Sequence, residues 1–190
     1  HGVPGALVSV VGINILNQIL DATPSISTGE LLNQLHRNII NALNKDSRAR
    51  DSYDGMDIAV IRIDKPASEI QFSGASRPLL MCSKEKTELI RGDKYSIGGV
   101  KDLDDATSFT THTFTVKNSS LNLYMFTDGY ADQFGGPKGK KFMVKQLLTL
   151  LAESHHLPLH EQASRLEQNF DGWKQNFQQV DDVLVIGIRV

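Results

Sequence analysis

Met56-Asp57-Ile58-Ala59-Val60-Ile61-Arg62-Ile63-Asp64 marks a change of period in the chain. Before it, apolar residues recur at helical spacing; from here on they fall in short runs of strand type. Lys65-Pro66 ends the stretch, because proline has no amide to give to a ladder. Residues 69–73, 79–82 and 87–91 follow as short strands separated by turn residues, and their spacing predicts an antiparallel meander. Residues 92–108 are polar and glycine-bearing and predict a long functional or mobile loop. Residues 112–116 and 121–126 are expected as a hairpin around Lys117-Asn118-Ser119-Ser120. Two helices, 142–152 and 159–170 (extending as far as 177), are divided by Pro158. The closing run 183–190 is apolar and rich in β-branched residues, the kind that lies in a sheet centre.

Upstream of Met56 the pattern is helical. Pro4-Gly5 opens a segment, 6–20, that is apolar nearly all round, as expected of a helix sandwiched between other elements. Ser27-Thr28-Gly29-Glu30 matches a capping box, Ser27 accepting from the backbone and Glu30 reaching back. The next helix places Leu31, Leu35, Ile39 and Leu43 on one stripe, with Leu32 and Ile40 beside it. Together these make an antiparallel helix pair, 3–44, ended by the charged loop Asp46-Ser47-Arg48-Ala49-Arg50-Asp51. The remainder, 55–190, holds the strands and C-terminal helices. Helices and antiparallel strands in separate blocks predict an α+β layered fold of two antiparallel sheets flanked by helices. At 190 residues a single domain is expected.

Composition removes several classes of function. A formal net charge of −2 provides no field to hold nucleic acid, so no nucleic-acid partner is expected. The 6–20 segment is interrupted by Ser9, Gly12, Asn14, Asn17 and Gln18 and falls short of the ~20 residues a bilayer requires. No direct membrane insertion is therefore expected. The lone Cys82 excludes an internal disulfide framework and suits a reducing cytoplasm, the expected location. Lying in the apolar run Pro78-Leu79-Leu80-Met81-Cys82, it reads as inert packing and not as a nucleophile.

The chemistry-bearing candidates are carboxylates at strand ends. Asp128-Gly129 follows the strand 121–126, Asp132 lies four residues further on, and Asp181-Asp182 precedes the final strand. Acidic residues from distant segments meeting at a sheet edge would suit hard divalent cations such as Mg²⁺ or Mn²⁺. Gly129 would let backbone and water approach the ion closely. The plain alternative is turn chemistry at Asp-Gly and a solvated start to the last strand. Gly135-Gly136-Pro137-Lys138-Gly139-Lys140-Lys141 fails as a nucleotide-binding loop: its glycines enclose three residues where four are needed, and Lys141 replaces the hydroxyl residue. A flexible basic loop beside a phosphate-handling site and a solvated helix start both remain open for it. His155, His156 and His160 read as helix-end histidines, favourable with the dipole, and not as zinc ligands.

Four segments together carry a resemblance. His1-Gly2-Val3-Pro4-Gly5-Ala6 resembles the tail of the Asp-x-Thr/Ser-Gly-His-Gly-x-Pro motif of stage II sporulation protein E-like bacterial phosphatases, the prokaryotic relatives of type 2C protein phosphatases. Ser73-Gly74-Ala75-Ser76-Arg77-Pro78 is similar to their Asn-Ala-Gly-His/Asn-x-Pro segment. Phe126-Thr127-Asp128-Gly129 resembles the Thr/Ser-Asp-Gly motif, and Asp181-Asp182-Val183 the closing Asp-Asp/Asn motif. Asp57-Ile58-Ala59 and Asp132-Gln133-Phe134-Gly135-Gly136 look like a subgroup in which the domain ends a longer signalling protein with sensory modules.

The resemblance implies a type 2C phosphatase-like sandwich with two Mn²⁺ or Mg²⁺ ions at one edge. It further implies hydrolysis of phosphoserine or phosphothreonine by metal-activated water. Carried over, Asp128 and Asp181 are metal ligands, Asp182 is the alternate at the second position, and Asp132 lies where some members bind a further ion. His1, Gly2 and Gly129 stand near the site. The helix pair corresponds to the switch helices through which an upstream sensor domain controls the site. The implied partner is a phosphorylated protein, such as a small anti-sigma-factor antagonist-like protein. The family's bridging aspartate lies four residues before the motif histidine, hence ahead of His1, as do the first strands. Residues 1–190 alone are therefore expected to be inactive or nearly so, with the ions absent. The competing expectation is a non-catalytic signalling module that keeps the fold and binds a partner.

Overall fold

The structure is a computed structural model and describes residues 2–43, 55–99, 108–116 and 120–190. His1, the charged loop 46–51, part of the 92–108 loop and Lys117, Asn118 and Ser119 lie outside the described residues. Internal contacts group into two compact units, one of residues 1–77 and 91–115 and one of residues 78–90 and 116–190.

The first unit holds α1 (Gly2–Ala22), α2 (Thr28–Leu43), β1 (Ile58–Asp64), β2 (Glu69–Ala75) and β5 (His112–Thr115). Its sheet runs β1-β2-β5, antiparallel throughout. Leu31, Leu35 and Ile39 of the predicted α2 stripe, and Leu32 beside it, are buried with Ile19 of α1, Ala75 of β2, Ile97 and Phe109; Ile40 is half-buried, and the side chain of Leu43 lies outside the described residues. Ser27 caps α2 as expected, its hydroxyl accepting from Glu30 N at 3.4 Å. Glu30 does not reach back, however. Its carboxylate accepts from Asn33, Gln34 and Arg37 along the helix, at 3.3, 3.1 and 2.9 Å. Helix α1 differs from the expectation in two ways. It is not sandwiched: Leu7, Val10 and Ile13 are 58%, 57% and 59% exposed. It is also longer than the apolar segment, and its window Gly5–Ala22, of mean hydropathy 1.4, is long and apolar enough to cross a membrane by length and composition. The length argument against a span thus fails, because the polar interruptions do not end the helix.

The second unit holds β3 (Leu79–Cys82), β4 (Thr87–Ile90), β6 (Asn122–Phe126), α3 (Gly129–Asp132), the short strands β7 (Phe134–Gly135) and β8 (Lys140–Lys141), α4 (Val144–Ser154), α5 (Leu159–Lys174) and β9 (Val185–Arg189). Its main sheet runs β4-β3-β6-β9, again antiparallel. Leu147, Leu150 and Leu151 of α4 pack with Leu80, Tyr124 and Phe126 of the sheet. Tyr130, Phe142 and Trp173 add a chain of edge-on rings, 5.1 and 5.3 Å between centroids. Cys82 is buried here, and burial pushes its thiol up, as suits packing.

Three topological expectations are corrected. The four early strands are not one meander but two hairpins in different sheets, β1–β2 and β3–β4. The chain leaves β2 through Ser76, at φ 59°, and the extended backbone that Pro78 imposes before it. Residues 112–116 and 121–126 are not a hairpin: β5 pairs with β2, and β6 lies between β3 and β9. The run between them lacks the glycine a tight hairpin turn prefers. Lastly, among the described residues β9 lies at an edge of its sheet and not at the centre, with its Ile186 and the preceding Leu184 exposed.

Candidate functional site

The aspartate-bearing segments meet because β6 and β9 pair. The register sets Phe126 opposite Val185, so the chain leaving β6 and the chain approaching β9 lie side by side. Thr127 locks them. Its amide donates to Leu184 O at 3.0 Å, its hydroxyl accepts from Leu184 N at 3.0 Å, and the hydroxyl donates towards Asp182 O at 3.3 Å. Gly129 completes the approach: a Cβ there would sit 2.2 Å from Asp182 O and 2.9 Å from its carbonyl carbon. Asp128 precedes that glycine and is exposed; Asp181 is half-buried and Asp182 exposed. All three aspartates thus belong to one edge.

Each carboxylate has its own setting. Asp128 is the N-cap of α3 and makes no side-chain cap hydrogen bond. Asp181 Oδ1 accepts from Asp182 N at 2.8 Å, and Gln179 Nε2 donates to Asp181 O at 2.8 Å. Asp132, at the end of α3, is ion-paired with Lys141 Nζ at 3.0 Å. Gly2 begins α1 in the first unit, and His1 lies outside the described residues.

Two residues important to this edge were not singled out from the sequence. Thr127 was visible only as part of the Thr-Asp-Gly motif, although a hydroxyl at a strand end is a recognisable clamp. Gln133 is fully buried, donates to Phe134 O and Gln178 O, and accepts from Val180 N at 3.4 Å. A glutamine in a polar turn carries no local signal of burial. Of the three histidines only His155 is tied in, its Nδ1 2.7 Å from Ala152 O and its carbonyl accepting from Asn122, Gln162 and Arg189, whereas His156 and His160 are exposed.

The donors at the edge are carboxylate and carbonyl oxygens, which match a hard divalent cation. No group of three or more His, Cys, Asp or Glu side chains poised for a metal occurs among the described residues. The aspartates thus offer the donor chemistry of such an ion without a closed set of side-chain ligands among the described residues.

Several solved structures share this architecture. The PP2C domain of SiaA from Pseudomonas aeruginosa superposes with a TM-score of 0.83 at 22% identity, over all of this chain and 72% of that one. The phosphatase domain of SpoIIE from Bacillus subtilis, presoaked with Mn, gives 0.54 at 15% identity, over 94% and 73%. RsbX in complex with magnesium gives 0.53 at 11% identity, over 93% and 71%. No curated protein sequence matches the chain. The α+β arrangement of antiparallel sheets and helices is thus that of the type 2C phosphatase class. Within that class the family model for stage II sporulation protein E matches residues 1–190, and the chain belongs to that family.

Proposed function

We propose that the domain hydrolyses phosphoserine or phosphothreonine in a protein of a bacterial signalling pathway, with Mn²⁺ or Mg²⁺ as cofactor. The observation that carries this is the junction of Asp128 with Asp181 and Asp182 through the Thr127 clamp and the Gly129 contact. Asp128 and Asp181 would hold the ions, with Asp182 as the alternate ligand. A bound divalent pair would supply an acidic water for in-line attack on phosphorus. Thr127 fixes the spacing of the two aspartate segments, and Gln179 steadies the Asp181 backbone. Asp132, ion-paired with Lys141 through Oδ2, is the candidate for a further ion. The manganese- and magnesium-bearing relatives support the cofactor class. The helix pair α1–α2 is read as the switch through which a sensor acts, in the cytoplasm.

By the resemblance, the family's bridging aspartate belongs four residues ahead of His1, so residues 1–190 alone are expected to turn over slowly. The test is Mn²⁺-dependent phosphate release from a phosphoserine protein, by this chain and by one extended about 60 residues upstream. In the extended chain Asp128→Asn and Asp181→Asn should each lower the rate at least about 100-fold, the scale of lost metal-charge stabilisation. Wild-type rates in either variant would sink the ligand roles. Equal rates for the two lengths would sink the expectation of slow turnover.

A further inference from the structure

The turn Gly136-Pro137-Lys138-Gly139 joins β7 to β8, with Gly139 N donating to Gly136 O at 3.2 Å. Gly136 and Gly139 take left-handed φ values of 65° and 57°. Proline suits the first corner of such a turn, and Lys138 takes the second, where side chains project outward. The basic stretch 135–141 is thus a hairpin and not a helix start.

This hairpin is held firmly. Gly136 N donates to Trp173 O at 2.8 Å, and Trp173 Nε1 donates to Gln133 O at 3.1 Å. A Cβ at Gly135 would lie 1.9 Å from Trp173 O, so only glycine permits the hairpin to seat on the end of α5. Its base is tied to the aspartate edge on both sides. Asp132 ends the helix that begins next to Asp128, and Gln133 bonds to Gln178 O and Val180 N, just before Asp181.

Its charges are unequal in role. Lys141 is occupied by Asp132 and stands over the Phe134 ring at 5.9 Å. Lys138 and Lys140 are exposed and make no ion pair among the described residues. Beside them Phe134 and Met143 are 39% and 57% exposed. Met143 holds a left-handed backbone, φ 76°, fixed by Met143 N donating to Ala131 O at 2.7 Å and Met143 O accepting from Gln146 N at 3.0 Å. A non-glycine residue in that region is strained, and such strain gathers at functional surfaces. Two unpaired cations on a rigid turn, flanked by exposed apolar side chains, complement an anionic segment that also carries apolar residues.

We propose that the β7–β8 hairpin is the docking edge for the acidic segment flanking the phosphorylated residue of the protein substrate, with Lys138 and Lys140 reading its charge. The proposal rests on the phosphatase reading for the identity of its occupant.

The test uses fluorescein-labelled phosphoserine peptides with either glutamate or alanine flanks, titrated by anisotropy against the Mn²⁺-supplemented chain. Wild type should prefer the acidic peptide about tenfold, the scale of two exposed charge pairs, and the preference should shrink as salt is added. Lys138→Glu with Lys140→Glu should abolish that preference and favour lysine-flanked peptides. Turnover of 4-nitrophenyl phosphate by the upstream-extended chain should be the same with and without the double substitution. No acidic preference in wild type, or one that survives the double substitution with circular dichroism unchanged, overturns the proposal. Competition by ATP as strong as by the acidic peptide also overturns it, in favour of nucleotide binding. Loss of 4-nitrophenyl phosphate turnover in the wild-type extended chain, with the charge preference intact, overturns the catalytic reading and leaves the docking edge standing.

Discussion

Gly129→Ala is the sharpest perturbation of the aspartate edge. The added methyl would lie 2.2 Å from Asp182 O, and contacts under 3.0 Å are essentially never observed for a Cβ. The two segments must therefore part by at least about 0.8 Å, and backbone on both sides leaves no side chain to yield. Separation on that scale stretches the Thr127–Leu184 hydrogen bonds, both 3.0 Å, and the 3.3 Å contact to Asp182 O. Overpacking of this kind costs about 2 to 3 kcal/mol, at the upper end of its usual range because the clash is with backbone. For a chain of 190 residues that is about 4–12 °C in melting temperature. Thermal unfolding by circular dichroism reads the stability, and Mn²⁺ titration of the upstream-extended chain by calorimetry reads the edge. Because the shift divides Asp128 from Asp181, Mn²⁺ affinity should fall further than stability predicts. A variant that melts within 1 °C of wild type and binds Mn²⁺ equally well would refute the close contact as the feature that assembles the edge.

His36 carries a pH dependence. It is 4% exposed, its Nδ1 accepts from Gly98 N at 3.0 Å, and burial, followed by the Arg37 charge, holds its pKa below the ordinary histidine value. A depressed folded pKa means the unfolded chain takes the proton first. Stability is thus full above about pH 6.5 and is lost as pH falls through the folded value, and His36→Asn should flatten that slope in melting curves between pH 8 and 5. Tyr124→Phe removes the buried bond from the Tyr124 hydroxyl to Gln162 Oε1, 2.7 Å, and leaves an unmatched acceptor. Urea unfolding should report a loss of about 1–3 kcal/mol.

What was legible in the sequence was whatever local spacing encodes. The α2 stripe, its Ser27 cap and the short strands all follow from side-chain period and turn chemistry, and the structure places them as expected. Strand partners were less legible. Residues 112–116 and 121–126 lie close in sequence and read as a hairpin, yet each pairs with strands from a different stretch of chain. The 183–190 run has the composition of a central strand, but whether a strand is central depends on which others flank it, and no residue of that run records this. Helix α1 fails the same way: its apolar circumference implies cover on every side, and Leu7, Val10 and Ile13 are exposed.

The aspartate edge separates the two kinds of information most clearly. Asp128 and Asp181 stood out as carboxylates at strand ends, Asp128 before Gly129 and Asp181 in an Asp-Asp pair ahead of the last strand. Their juxtaposition is not local, since the Thr127 contacts span 55 and 57 residues and those of Gln133 span 45 and 47. These clamps are made mostly to backbone carbonyls and amides, which every sequence offers, so no partner residue type betrays them. A consequence follows for the chemistry. The aspartate segments are held together by strand pairing and by a glycine contact, with no group of three or more metal-ligating side chains among the described residues. Anything that binds across Asp128 and Asp181 must then stabilise the β6–β9 pairing, and anything that loosens β9 must weaken that binding by the same free energy. With β9 on the edge of its sheet, joined to it through β6 alone among the described residues, binding across the two aspartates and strand pairing would form a single equilibrium.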